Sequence, residues 1–457
     1  MEKMIKQQPA ILGGQAVRRT PIPARKCIGE EEKSAVIDTL DSQILSGFLA
    51  SPGKYFNGGK KVHEFEKKWS EEYGFKHAIS VNSWTSGLMS IVGAIGIDPG
   101  DEVICSPYTM SASATCVLFY GGIPIFADIE KDTYCLDPKS IEDNITERTK
   151  AIIIVHLFGG TADMDRVMDI AERHNLIVVE DAAQAPGVYY DGKPVGTIGH
   201  IGGFSLNYHK HIHAGEGGLI VTNDDNLALR CQLIRNHGEN YVDAHPDISI
   251  NSTIGGNYRF SELHAAIAIE QFKKLPGIIK RRNKLALRLS YRLSNVRGIK
   301  TPVVRKNSTH AWYFYPIQYD EEKLGISRSL FVEAVNAEFP SPCTVEDVAL
   351  TQGYVYPLYK SRIYQERIAI GSNGFPFNIN NPIVYKYPDG LCPTTERMYS
   401  KTLLLTSLIR DPLTEKDIDD LADAIIKVVN NVDYIKRKIP DKNGDKVITT
   451  VDIASRT

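Results

Sequence analysis

Between His77 and Thr222 short apolar runs alternate with stretches of helical periodicity, and this alternation constrains the fold more than any other feature. Residues 77–81, 102–106, 123–127, 151–156 and 176–180 read as strands. Residues 85–97, 111–120 and 163–174 read as helices between them, with a turn at Pro99-Gly100-Asp101. Strands separated by helices at this spacing form parallel βαβ units and a doubly wound sheet. The run Ala151-Ile152-Ile153-Ile154-Val155 lacks polar alternation, which suits a strand covered on both faces. The expected fold class is α/β. Residues 218–222 add one more strand, entered by a sharp turn at Gly215-Glu216-Gly217-Gly218.

The remaining segments divide the chain. Residues 1–30 contain Gly and Pro and read as an extended arm. Residues 30–40 and 61–73 have helical patterning, joined by a turn-rich loop over 46–54. Residues 260–273 read as an amphipathic helix and 276–293 as a second helix with a basic face, bridging to a smaller domain. There, 312–319 alternates like a strand and 415–430 is a clear amphipathic helix. Residues 340–395 are rich in Pro, Gly, Tyr and Asn with little periodicity. They read as an irregular insertion of the kind that shapes pockets. The expected organisation is an arm (1–30), a large domain (31–275), a small domain (276–435) and a fraying polar tail (436–457).

At 457 residues, 42% apolar, 24% charged and a net charge of −2, the chain gives no reason to expect nucleic acid or an anionic membrane as partner. No apolar run is long enough to span a bilayer, and the N-terminal residues lack the apolar core of a signal peptide. Seven scattered cysteines without a C-x-x-C pair read as reduced thiols, so a cytoplasmic location is expected. Cys105 and Cys116 lie in apolar stretches, as small core residues do.

Two residues carry the chemistry. Asp181 ends the apolar run from Leu176, at the carboxyl end of a parallel strand, where open α/β sheets build their sites. Lys210 follows the strand-like Gly202-Gly203-Phe204-Ser205-Leu206 and precedes Gly215-Glu216-Gly217-Gly218, a setting that bends the chain closely around something. Alone, each has a commoner fate, a loop or cap aspartate and a solvated lysine. Together they describe a pyridoxal 5′-phosphate (PLP) site. A lysine lowered by burial forms a Schiff base with the cofactor's aldehyde, and a carboxylate keeps the pyridine nitrogen protonated. Ser205 offers a hydroxyl to the phosphate. Thr85 and Ser86 open a helix, which is both an anion site and an ordinary N-cap pattern. His209, His211 and His213 alternate beside the lysine; in an extended segment they would share a face, but no further ligand follows at metal-site spacing. No metal is expected. Glu216 reads as a turn carboxylate.

Glu180-Asp181-Ala182-Ala183-Gln184-Ala185, followed by the stretch from Phe204 to Gly218 around Lys210, resembles the paired motifs of the sugar aminotransferases of the DegT/DnrJ/StrS group, fold-type I PLP enzymes. Gly100-Asp101-Glu102-Val103, Val155-His156-Leu157-Phe158-Gly159, Gly256-Asn257-Tyr258-Arg259 and Cys392-Pro393 with Glu396-Arg397 match too, so the resemblance runs from about residue 47 to about 420. It implies a mainly parallel central sheet with helices on both faces and a smaller α+β C-terminal domain. It also implies that Lys210 binds the cofactor and shuttles a proton, Asp181 holds the ring nitrogen and Gln184 lies near the ring hydroxyl. Thr85, Ser86 and Ser205 would hold the phosphate. Asn257 would reach the phosphate of a neighbouring subunit, which makes the enzyme a homodimer with shared sites. Trp84 departs from the family's usual Gly or Asn, and Met110 stands where an aromatic residue usually stacks on the ring. The implied activity is amino transfer from glutamate or glutamine to a keto-sugar, foremost a nucleotide-linked keto-deoxysugar. Weaker readings are amination of a free cyclic polyol ketone of the inosose type, a PLP-dependent sugar dehydratase, and a catalytically silent PLP-binding protein.

Overall fold

The computed structural model describes residues 7–248, 251, 254–342, 344–382 and 384–441. Seven strands form the central sheet: β1 (His77–Val81), β2 (Glu102–Cys105), β3 (Ile123–Phe126), β4 (Thr149–Val155), β5 (Ile177–Asp181), β6 (Ile201–Ser205) and β7 (Gly218–Thr222). Their order is β1-β7-β6-β5-β4-β2-β3. The strands from β6 to β3 pair in parallel, while β7 runs antiparallel to both β1 and β6. The glycine turn before Gly218 thus reverses the chain directly beside β6.

β4 shows why the apolar runs lack alternation. Ile152 and Ile154 face a core shared with helices α2 (Lys60–Tyr73), α5 (Met164–His174) and the N-terminal half of α7 (Glu262–Leu293). Ala151 and Ile153 face a second core under α3 (Trp84–Ala94), α4 (Ala112–Leu118) and α6 (Asp225–Arg235). Both faces of the strand exclude water, so both must be apolar. The helices carry matching stripes. In α2, Val62, Phe65 and Trp69 are buried at helical spacing, and Gly74 ends the helix with φ of 72°. In α5, Asp163 caps the start by accepting from Arg166 N, and Asn175 ends it with φ of 53°.

α7 corrects one expectation. Residues 260–273 and 276–293 are not two helices: the helix is continuous over 32 residues with Pro276 inside it. An interior proline costs about 3 kcal/mol. Burial at both ends outweighs that. Ala265, Ala268 and Ile269 pack into the first core, while Leu285, Ala286, Leu289 and Leu293 pack into the core of the smaller domain. At about 1.5 Å per residue the helix spans roughly 48 Å. Its basic face meets acidic partners. Lys284 pairs with Glu415 at 2.7 Å, Arg288 with Asp419 at 2.6 Å and Arg292 with Asp419 at 2.7 Å, all on α9 (Glu415–Val429).

The smaller domain holds an antiparallel sheet of β8 (Ile299–Lys300), β9 (Tyr315–Tyr319), β10 (Thr351–Gln352) and β11 (Leu403–Thr406), in the order β8-β9-β11-β10. Helices α8 (Arg328–Asn336) and α9 cover it. The irregular segment over 340–395 is built rather than loose. Tyr364, Tyr387 and Phe377 pack around Phe126 of β3, and Tyr385 OH donates to the buried Glu102 at 2.8 Å. It covers the edge strand of the central sheet, which an exposed edge requires. The described part of the arm is tied down along its length: Ala10 N and Val17 N donate to Glu338, and Arg25 reaches the Lys210 loop. Residues 1–6 of the arm and 442–457 of the tail lie outside the described residues, as does Cys343; the other six cysteines are free thiols, five of them buried. Among the described residues no helix is long and apolar enough to cross a membrane.

Candidate active site

Sheet register brings the site together. Val81 at the end of β1 and Ser205 at the end of β6 both pair with Gly218 of β7. Asp181, the last residue of β5, pairs with Gly203 of β6. The turns that follow therefore deliver Thr85, Ser86, Asp181, Gln184, Ser205 and Lys210 to one edge, at the carboxyl ends of the parallel strands.

Asp181 is buried and held from several directions. Its Oδ1 accepts from the Trp84 indole N–H at 2.7 Å and from Ala183 N at 3.2 Å. Its Oδ2 accepts from Ser113 Oγ at 2.7 Å. Lys210 lies in a bent loop closed by its own N–H on Asn207 O at 2.8 Å. Arg25 of the arm donates to the carbonyls of Tyr208 at 2.7 Å, Lys210, and His211 at 3.4 Å. The Lys210 ammonium sits over the Tyr313 ring, 4.4 Å from its centroid. Burial disfavours the charged form and lowers this lysine to about 8, against the upward pull of Asp181's negative charge. A substantial neutral amine fraction near neutrality follows from the structure itself.

Gln184 is fixed at both ends of its amide: Phe158 N donates to Oε1 at 2.7 Å, and Nε2 donates to Tyr354 OH at 3.0 Å. At the start of α3, Ser83 Oγ caps Ser86 N at 3.1 Å. The Ser86 hydroxyl turns inward, within reach of Asn82 Oδ1 (2.7 Å) and Ser83 O (2.8 Å), so it serves the cap. Thr85 is exposed at the helix mouth, and Asn207 N donates to Ser205 Oγ at 3.3 Å. Asn257 is exposed beside the α3 start of its own chain, where its carbonyl accepts from Asn82 Nδ2 at 3.2 Å. Met110 is 56% exposed, and its thioether accepts from Ala112 N at 3.2 Å.

The three histidines part company because their segment is bent rather than extended. His209 Nδ1 meets Glu346 at 2.8 Å, His211 Nε2 meets Ala311 O at 2.9 Å, and His213 Nε2 meets Cys27 Sγ at 2.8 Å. Glu216 accepts from the Asn207 side chain at 3.0 Å. Sequence reasoning missed Ser113, Tyr313, Tyr354 and Arg25. All four arrive from distant segments with no local signal, apart from the aromatic richness of 340–395 around Tyr354.

Residues 27–376 match the model of the DegT/DnrJ/EryC1/StrS aminotransferase family. The chain belongs to this family. It is 32% identical over 412 residues to the spore coat polysaccharide biosynthesis protein SpsC of Bacillus subtilis (strain 168), covering 89% of this chain and 96% of that protein. It is 32% identical over 378 residues to an L-glutamine:2-deoxy-scyllo-inosose aminotransferase of Streptomyces lividus, covering 80% and 86%. The crystal structure of S. venezuelae DesV in complex with a ketimine intermediate superposes with a TM-score of 0.72 at 28% identity, covering 88% and 94%. The protein is thus an aminotransferase of the sugar aminotransferase family, with the fold of the type I PLP enzymes. The family is PLP-dependent, and the residues present fit that cofactor: a buried carboxylate held on both oxygens, a lysine lowered to about 8, and a hydroxyl-bearing helix mouth at one strand edge.

Proposed function

We propose that this aminotransferase binds PLP through Lys210 and moves an amino group from glutamate or glutamine to the ketone of a nucleotide-linked keto-deoxysugar. The product would serve a surface polysaccharide or glycosylated metabolite. The observation that carries the reading is the pairing of Lys210 with Asp181 at one strand edge, the lysine lowered by burial to about 8 against the carboxylate's opposing charge. Asp181 would hold the ring nitrogen and Gln184 would lie beside the ring hydroxyl. Thr85 and Ser205 would hold the phosphate at the N-terminus of α3, where free N–H groups favour an anion, with Ser86 shaping that turn as its cap. Met110 would pack against the ring face.

PLP, when bound, supplies the electron sink that stabilises negative charge at the amino-bearing carbon. Lys210 Nζ takes a proton from that carbon of the donor and returns one to the acceptor carbon. The Tyr313 face steadies its ammonium form between the two transfers. Phe158, Phe314, Tyr108 and Tyr354 form an aromatic wall that excludes water from one side. A second subunit completes the site through Asn257. Exposed Ile37, Leu40, Ile44, Leu45 and Leu49 on and after α1 (Glu30–Asp41) support a dimer, since so many exposed apolar side chains in one short stretch invite a partner. A cytoplasmic location accords with the free thiols.

The name of SpsC favours a polysaccharide sugar as acceptor, and that of the Streptomyces lividus relative favours glutamine as donor. The same relative keeps a free cyclic polyol ketone as the second reading. The test is the visible absorbance of the purified protein with PLP, before and after adding L-glutamate or L-glutamine without acceptor. A band that bleaches with donor and returns with a keto-sugar nucleotide, and that Lys210→Ala lacks, is the expected result. Return with an inosose alone would select the second reading. A band that neither donor moves would overturn amino transfer from these donors.

A further inference from the structure

Trp84 is built into the site rather than tolerated there. A Cβ on Gly203 would meet its ring at 2.4 Å and one on Gly87 at 2.8 Å, while one on Gly218 would meet its Cα at 2.8 Å. Glycines from β6 and α3 hollow the space the ring fills, and the glycine of β7 lets that strand approach the Trp84 backbone. The indole is buried, and a buried indole N–H needs an acceptor. It takes Asp181 Oδ1, while Ser113 on α4 takes Oδ2. With a side-chain donor on each oxygen from two different helices, the carboxylate cannot turn about its Cβ–Cγ bond without breaking both bonds. The next residue, Thr85, stands exposed at the mouth of the same helix. Two successive residues at the start of α3 would therefore serve opposite ends of one elongated ligand.

We infer that Trp84 is a positioning residue: its indole N–H fixes the orientation in which Asp181 meets the ring nitrogen of the cofactor. The inference rests on the PLP reading above. It assigns the task to the N–H and not to the bulk of the ring, and Trp84→Phe separates the two.

The experiment measures the Kd of wild-type and Trp84→Phe protein for PLP and for its 1-deaza analogue, in which carbon replaces the ring nitrogen. Loss of one hydrogen bond to a charged acceptor is expected to weaken PLP about tenfold. The analogue, which makes no ring-nitrogen contact with Asp181, should bind both proteins about equally. Equal weakening of both ligands would assign Trp84 to packing alone and overturn the inference, as would unchanged PLP binding. Should the variant fail to fold, the wild-type protein still decides. It has only three tryptophans, so the Trp84 indole N–H resonance can be followed by NMR. PLP should displace it more than the analogue does; equal displacements would overturn the inference. A wild-type protein that binds neither ligand would instead remove the PLP reading itself.

Discussion

Asp181→Asn tests the electrostatics of the site through the titration of Lys210. Two opposed influences act on that ammonium: burial pulls it down from 10.5, the charge of Asp181 pulls it up, and burial wins, leaving it at about 8. The neutral amine is the form that attacks an aldehyde. With a midpoint of about 8, roughly one amine in ten is neutral at pH 7; at the ordinary lysine value the fraction is roughly one in 3,000, so burial raises the reactive form roughly 300-fold. Asparagine keeps the shape of the side chain. Its Oδ1 still accepts from Trp84, and the Ser113 hydroxyl rotates to accept from the new amide. The variant therefore removes the charge with little else, and the Lys210 midpoint should fall below its wild-type value. The assay is the stopped-flow rate at which apoprotein incorporates PLP, followed by absorbance from neutral to alkaline pH. The rate should rise with pH and level off, with a midpoint of about 8 in the wild type and lower in the variant. The final amplitude reports the separate loss of the ring-nitrogen partner. A wild-type midpoint near that of free lysine, or a midpoint that climbs in Asp181→Asn, would refute the reasoning. Linkage gives an independent check. Between about 8 and 10.5 the unfolded chain binds a proton at this position that the folded protein does not, so this group favours folding increasingly as pH rises through that window. Lys210→Met should remove that component.

Burial holds His310 down to about 3 and His213 to about 4, and pushes His211 well below its ordinary 6.5. Below about 6.5 the unfolded chain binds protons that these folded histidines refuse, so the urea midpoint should fall with pH, by up to about 1.4 kcal/mol per pH unit for each histidine. His310→Asn, which still offers an acceptor to Trp312 N, should flatten the slope; an unchanged slope would exclude His310 as a contributor. Lys427 Nζ pairs with Glu338 at 2.8 Å with both side chains almost wholly buried, and Glu338 also anchors the arm through Ala10 N and Val17 N. Lys427→Met should destabilise the protein by about 3–5 kcal/mol by leaving a buried charge alone, and Lys427→Met with Glu338→Gln should recover part of that in the same denaturation assay.

The central sheet and the core of the site were legible because each is encoded over a few consecutive residues. An apolar run such as 151–155 declares a strand covered on both faces, and a strand that ends in Asp181 declares where that carboxylate must sit. The same locality explains the readings that failed. Pro276 looked like a break because the sequence shows the lost hydrogen bond but not the two cores that hold α7 straight. The acidic partners of α7's basic face lie on α9, more than a hundred residues away, so no local pattern announces them. Three alternating histidines shared a face only if their segment was extended, and the bend around Lys210 sends each to a different partner.

What surrounds the Lys210–Asp181 pair is non-local in the same sense. Trp84 reaches Asp181 across 97 positions, and Gln184 reaches Tyr354 across 170. Neither contact has a period or a spacing to announce it. Yet Trp84 was visible as a departure from the family pattern, and three glycines at positions 87, 203 and 218 were visible as residues without side chains. Only the fold shows how they meet: Gly87 and Gly203 leave room for the indole ring, whose N–H crosses from the start of α3 to the end of β5, while Gly218 clears the Trp84 backbone. Trp84→Gly should therefore leave a cavity that no neighbouring side chain closes, read as a lower urea midpoint. Gly203→Ala, which drives a Cβ to 2.0 Å from Leu219 O and 2.4 Å from the indole, should for its part damage cofactor binding even with every catalytic side chain present.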